Sequence, residues 1–415
     1  MRPGQSTRML AGLVIGAVLG IAAHLLFGDS PLLDGVVANV TEPIGRIFLR
    51  LLFMLVIPLI VSALALGVAE LRDLRQLGRI GLKTLAYTVV VTTIAVAIGV
   101  ALVNAVRPGE GLSPELRSKL SVRAVAPAQA PGAGATGVDF LVQLVPSNVV
   151  KAMADGDMLA VMMFALFLGI GLVLTRTAAA RAFETGLQGL YDVVMHLLGL
   201  VILMAPLGVA CLLFSLTARL GYDVLRQLGW YVAVVIVALA LQQFVVYSLS
   251  VRWLGGMSPR AFFRAVRPAV VTAFSTASSN ATLPTALQVA EENLHLPPQV
   301  SRFVLSIGST ANQNGTALFE GVTVLFLAQF YGVELTLSQQ VVVVFICILG
   351  GIGTAGVPAG SIPVIAMILG MVGVPPDGIG IILGVDRLLD MCRTTVNVTG
   401  DLAAAVVVSR GEPRS

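Results

Sequence analysis

Charge is scarce in this sequence. Only 12% of its 415 residues are Asp, Glu, Lys or Arg, against about 25% in an ordinary soluble domain. The apolar set AVILMFWYC reaches 57%, and mean hydropathy is +0.93. A soluble chain this apolar could not cover its surface, so the excess has to face lipid. Cysteine and histidine are nearly missing, with three of each. Cys211, Cys347 and Cys392 lie in apolar stretches without disulfide or metal-ligand spacing, and read as buried structural thiols. His24, His196 and His295 are scattered, which suggests neither a histidine-rich metal site nor a His-based nucleophile triad. The net charge of +4 has no soluble basic domain to carry it, so nucleic acid is not an expected partner.

What the sequence does have is a series of long apolar runs. A spanning helix needs about 20 mainly apolar residues. Runs at 9–27, 47–69, 82–106, 158–174, 193–216 and 230–254 qualify. The first has a basic start like a signal peptide, but it is long for one and many spans follow, so it reads as a retained helix. Basic residues cluster between the runs: Arg2 and Arg8; Arg72, Arg75, Arg79 and Lys83; Arg176 and Arg181; Arg252, Arg260, Arg264 and Arg267; Arg410 and Arg414. Placing these clusters in the cytoplasm satisfies the positive-inside rule. The expectation is a multi-pass protein of the cytoplasmic membrane with both termini cytoplasmic. Residues 107–123, Arg219 and Arg226 fit this topology less well, because they fall outside. Residues 124–137 are a low-complexity loop of Ala, Pro and Gly.

The C-terminal third breaks the helical rhythm. Residues 274–284 read Phe-Ser-Thr-Ala-Ser-Ser-Asn-Ala-Thr-Leu-Pro, and 350–363 read Gly-Gly-Ile-Gly-Thr-Ala-Gly-Val-Pro-Ala-Gly-Ser-Ile-Pro. Two interrupted apolar segments in corresponding places point to a paired-repeat transporter site. Each is expected to be a re-entrant helical hairpin, since irregular backbone at membrane depth needs protein or a watery cavity around it. A half-helix N-terminus offers free N–H groups to an anion. Ser278, Ser279 and Asn280 suit one such tip, and 353–360 the other; a plain tight turn is the alternative for each.

The strongest signal is the last helix, where Asp386, Asp390, Arg393, Asn397 and Asp401 fall within an arc of roughly 80°. A charge at the centre of a bilayer helix costs about 2.5–3.5 kcal/mol, so such a stripe must face partners or a cavity. It holds more carboxylates than cations, and the surplus suits bound cations and an ammonium group rather than a purely structural ion-pair network. A second signal is Asn312-Gln313-Asn314-Gly315-Thr316, where Gly315 is expected to free backbone carbonyls. Amide and carbonyl oxygens are hard ligands for a small cation; helix–helix hydrogen bonding is the alternative.

Taken together, these segments resemble the dicarboxylate/amino acid:cation symporter family, the glutamate transporters and their prokaryotic relatives. The resemblance rests on Ser278-Ser279-Asn280-Ala281-Thr282-Leu283-Pro284, on Asn312–Thr316, on Gly353-Thr354-Ala355-Gly356-Val357-Pro358, and on the run from Asp390 to Asp401 with Cys392 in place of a glycine. It implies an all-α membrane protein with eight transmembrane helices, two re-entrant hairpins and inverted repeats. It implies a homotrimer working by an elevator motion. Residues 1–255 would be mainly scaffold, with the third and sixth helices joining the transport core of 256–410. By resemblance, Arg393 grips a substrate side-chain carboxylate, and Asp390 and Thr394 hold an α-amino group. Ser278, Ser279, Asn280 and Asn397 hold the main-chain carboxylate, Thr316 lines the pocket, and Gly356, Val357 and Pro358 form the second tip. One sodium site would use Gly308, Asn312, Asn397 and Asp401; another Thr310, Gly351, Ile352 and Thr354; Gln313 belongs to the same cation region.

The sequence also departs from the family. Gln313 and Asn314 stand where relatives have methionine and a sodium-ligating aspartate, and Val91 replaces a hydroxyl residue before Thr92. Both changes fall on one deep sodium site and should weaken it, leaving sodium or protons as the coupling ion and no other cofactor expected. Ala277 and Met391 stand where relatives carry an arginine. Arg387 points about 100° away from Asp386 on the helix, so nothing evident balances Asp390. The resulting expectation is a carrier for aspartate or glutamate, with succinate or malate as the alternative. An intramembrane aspartyl protease is disfavoured because Asp386 and Asp390 share one helix, so no enzyme is expected. A channel is the remaining alternative, distinguishable by counterflow.

Overall fold

The computed structural model describes residues 5–28, 30–70, 79–110, 145–155, 158–175, 177–353 and 361–411. These residues are helical throughout, with short turns and no strand among them. The first apolar run is α1 (Gln5–Phe27). The second is a bent helical stretch starting at Pro31 and ending in α2 (Glu42–Met54) and α3 (Val56–Glu70). There follow α4 (Arg79–Val106), α5 (Met158–Leu174), α6 (Ala178–Leu203), α7 (Ala205–Leu220) and α8 (Asp223–Leu241). The last continues to Leu254 through two wide turns. The expected span 193–216 is not one element: Met204 ends α6, and Pro206, which lacks an N–H and suits a first turn, opens α7.

The C-terminal third consists of shorter pieces: α9 (Pro259–Thr276), α10 (Ser279–Gln288), α11 (Pro298–Ala311), α12 (Asn314–Tyr331), α13 (Leu337–Gly353), α14 (Ser361–Met371) and α15 (Leu383–Ser409). Helices α9 and α10 pack as the expected first hairpin. Ala277 turns the chain in the left-handed region at φ 49°, and Ser278 caps α10, its hydroxyl accepting from the Ala281 N–H at 3.3 Å. The tip of the second hairpin, with Thr354, Gly356, Val357 and Pro358, lies outside the described residues.

Among the described residues, four helical stretches are long and apolar enough to cross a membrane: 31–69, 79–106, 178–203 and 224–254. Shorter apolar helices cover 11–27, 160–174, 205–219 and 337–351. Helix α1 lies flush on α7, because Gly12, Gly16 and Gly20 form a face where any Cβ would strike α7. Helix α3 packs on α5 and α6. The second group of contacts centres on α12, which is buried almost end to end. Helices α4, α8, α13, α14 and α15 surround it, so the third and sixth apolar runs pack with the C-terminal third. Large apolar side chains outside these seams, such as Leu25, Leu82 and Leu203, point outward. Arg219, which fits the charge rule poorly, is matched by the buried Glu42, 3.3 Å away; Glu42 also pairs with Arg46.

Candidate functional site

Helix α15 carries the stripe, and Asp386, Asp390, Arg393, Asn397 and Asp401 are all buried. The guanidinium of Arg393 is 1% exposed and sits at the centre of a dense set of partners. Its Nη2 donates to Asp390 Oδ1 at 2.8 Å and to Asp386 Oδ1 at 3.1 Å, and its Nη1 donates to Ser361 Oγ at 2.8 Å. Its Cζ lies 3.9 Å from the centre of the Phe319 ring. The remaining donor, Nε, is buried and has no hydrogen-bond partner among the described residues. Arg387 Nη1 lies 3.5 Å from Asp390 Oδ2. This corrects the expectation that nothing balances Asp390. Residues three apart are neighbours on a helix, and a long side chain reaches across the angle between their backbones. Asp386, Arg387, Asp390 and Arg393 are thus charge-matched, and the carboxylate surplus belongs to Asp401 alone.

The second half of the stripe meets a break between α11 and α12. Asn312 and Gln313 leave the helical conformation, and α12 starts at Asn314. Gly315, expected to free backbone carbonyls, lies in the first turn of α12, just past the break. A Cβ there would come 2.7 Å from the carbonyl oxygen of Arg393, so its smallness brings α12 against α15. Asn397 caps the broken end: its Oδ1 accepts from Gly315 N at 2.7 Å and Thr316 N at 3.4 Å. Its Nδ2 donates to Gln313 Oε1 at 2.6 Å and Thr316 Oγ1 at 2.9 Å.

Asp401 accepts from Asn312 Nδ2 at 2.8 Å, and among the described residues no basic group pairs with it. Asn312 Oδ1 is buried without a partner. A Cβ at Gly308 would come 2.5 Å from Asp401 Oδ1, so α11 passes directly over the carboxylate. A buried carboxylate beside an orphaned amide oxygen suits a small hard cation. The neighbouring amide of Asn314 does not. Its Oδ1 accepts from Thr92 Oγ1 at 2.5 Å and its Nδ2 donates to Tyr247 at 3.1 Å. Tyr247 has a single proton, already donated to the Val396 carbonyl at 3.0 Å, so it can only accept from Asn314. These hydrogen bonds engage both ends of the Asn314 amide, which offers an ion a neutral dipole where a carboxylate would offer a charge.

The family model for sodium:dicarboxylate symporters matches residues 6–411. The chain belongs to that family. It is 34% identical over 411 residues to a proton/sodium-glutamate symport protein of Bacillus subtilis, covering 99% of this chain and 93% of the relative. It is 33% identical over 407 residues to a proton/glutamate-aspartate symporter of Escherichia coli, covering 98% and 92%. A C4-dicarboxylate transport protein of Anaeromyxobacter sp. strain K is 31% identical over 407 residues, covering 98% and 89%.

In this symporter-family chain the other candidate residues are placed as follows. Thr394 and Thr316 are buried beside Arg393 and Asn397 in sequence and in contact respectively. Ser279 is buried and Asn280 exposed at the first tip, and α10 packs against α15. The Thr310 hydroxyl donates to the Ile307 carbonyl at 3.0 Å. A Cβ at Gly351 would meet Ala317 and the Gln313 carbonyl. Gln313 donates to the Ser309 carbonyl at 2.9 Å while accepting from Asn397. The side chain of Ile352 and all of Thr354, Gly356, Val357 and Pro358 lie outside the described residues. Several residues are not foreseen as partners from sequence: Ser361, Phe319, Arg387 and Tyr247, and the fully buried Glu320 of α12 also escapes it. Only Glu320 carries a signal of its own, as a lone acid inside an apolar run.

Proposed function

We propose that this chain is a secondary active transporter that imports acidic amino acids across the cytoplasmic membrane, with reduced dependence on sodium. The observation that carries this is Arg393, a buried guanidinium positioned by two carboxylates, a hydroxyl and an aromatic face, with its Nε unpartnered among the described residues. A guanidinium recognises a carboxylate with directional, charge-assisted hydrogen bonds. Arg393 holds the substrate's side-chain carboxylate, Asp390 and Thr394 its ammonium, and Asn397 with the first tip its main-chain carboxylate. Thr316 lines the pocket, and Gly356, Val357 and Pro358 close it. No chemical step is involved, and the chain acts as a carrier rather than an enzyme.

The ions follow from the second half of the stripe. Asp401, Asn312, Asn397 and Gly308 form the one cation site whose donor set favours occupancy. Thr310, Gly351, Ile352 and Thr354 line a second, and Gln313 acts through Asn397. At Asn314 a dehydrated cation would find dipoles already engaged and no charge to offset its desolvation. Sodium or protons drive the cycle. The chain works as a homotrimer with lipid around it, both termini cytoplasmic. Residues 256–410 together with α4 and α8 move as the transport core against the remaining helices.

A dicarboxylate such as succinate is the second reading, favoured by the two guanidiniums on Asp390. The test is uptake of radiolabelled aspartate and succinate into proteoliposomes under imposed sodium or proton gradients. Gradient-driven accumulation of either, with counterflow, supports a carrier. Uptake of neither, or flux without counterflow, contradicts it.

A further inference from the structure

Asp390 is engaged from both sides. Arg393 holds Oδ1 at 2.8 Å and is itself fixed by Asp386, Ser361 and Phe319. Arg387 faces Oδ2 at 3.5 Å, with a side chain 11% exposed. The two guanidiniums are therefore unequal: Arg393 is in hydrogen-bond contact at 2.8 Å and 1% exposed, whereas Arg387 stands 3.5 Å away with a side chain 11% exposed. On the proposed reading a substrate ammonium approaches the same carboxylate that Arg387 faces. An incoming amino acid brings a positive charge to a carboxylate that already carries one beyond Arg393. A dicarboxylate brings no ammonium and finds instead a second cation for its second carboxylate.

We infer that Arg387 is a specificity-determining residue, which narrows the preference for amino acids over four-carbon dicarboxylates by competing for Asp390. This rests on the proposed reading of the site as an acidic-substrate pocket. Like charges on one carboxylate oppose each other, and unlike charges across a small pocket attract. Arg387 thus weakens aspartate binding and strengthens succinate binding through the same charge. It acts on the ammonium through Asp390 and so positions and tunes the site.

The experiment is calorimetric binding of aspartate and of succinate to the purified full-length protein, unaltered and as Arg387→Gln and Arg387→Lys. Removing the charge is expected to raise aspartate affinity about tenfold and lower succinate affinity about tenfold, as for a close charge in a desolvated site. The lysine variant, which keeps the charge, is expected to stay near the unaltered ratio. Should the glutamine variant not fold, Arg387→Met keeps the side-chain length without charge and is read the same way. Equal loss of both ligands in the uncharged variant, or a lysine variant that behaves like it, overturns the assignment and leaves Arg387 a structural residue. If the unaltered protein binds neither ligand, the acidic-substrate reading fails, and this assignment with it.

Discussion

The two halves of the α15 stripe solve the burial of polar groups differently. From Asp386 to Arg393 the helix carries two carboxylates and two guanidiniums, paired within 3.5 Å. From Asn397 to Asp401 it carries one amide, faced by those of Asn312 and Gln313, and one carboxylate that no basic group meets among the described residues. A buried ion pair is compensated before any ligand arrives, so a ligand must exchange partners with it. A buried carboxylate among amides is uncompensated, and a small cation or a proton completes it. On the proposed reading the first half selects substrate, and the second couples its binding to an ion. Asn314 sits beside the second half, and the weaker sodium coupling proposed here rests on it: a neutral amide hydrogen-bonds Thr92 and Tyr247 where a carboxylate would demand a cation.

The comparison breaks most visibly at Arg393. Arg393→Cys is expected to lower aspartate affinity about a thousandfold, since truncating one partner of a buried charge pair costs about 2–5 kcal/mol. Neutral amino acids then become candidate ligands, and calorimetry with aspartate and serine checks both outcomes. Asp390→Ser is expected to weaken aspartate about a hundredfold while sparing succinate, because only aspartate has an ammonium to lose. Equal losses would remove Asp390 from its role. Gly315→Ala, at the contact between the halves, introduces a Cβ 2.7 Å from the Arg393 carbonyl. Overpacking of this kind costs about 1–3 kcal/mol, seen as a lower melting temperature with substrate chemistry unchanged. Asn314→Asp sharpens the contrast from the other side. It restores a charge next to Thr92, and aspartate affinity should then gain about one further order of dependence on sodium concentration by linkage.

Much of this is legible in the sequence. The α15 stripe is readable because charge in an apolar helix is costly and its spacing matches one face. The first hairpin is readable from Ser278-Ser279-Asn280 between apolar runs. What cannot be read is who meets whom across helices. Tyr247 reaches Asn314 from a position 67 residues away, and nothing local marks it; Thr92, 222 residues away, is tied to Asn314 only through the family resemblance. Arg387 was misplaced because a helical wheel records Cβ directions, whereas a guanidinium several bonds out swings onto its neighbour three residues along. Gly315 reads in sequence as the residue that frees backbone carbonyls, but Asn312 and Gln313 are the ones that leave the helix, with Asn397 across the seam satisfying the exposed N–H groups. The span at 193–216 failed for a simpler reason: hydropathy is blind to the bend that Pro206 imposes on an otherwise apolar run.

The central claim is that substrate is selected by the charge-matched half and coupled to an ion only through the Asp401 half. The direct test is aspartate affinity measured against sodium concentration at constant ionic strength in a choline background. A log–log slope shallower than that of a fully sodium-coupled relative is predicted, because the neutral Asn314 amide brings no charge to offset an ion's desolvation. A slope as steep as that relative's would contradict the account.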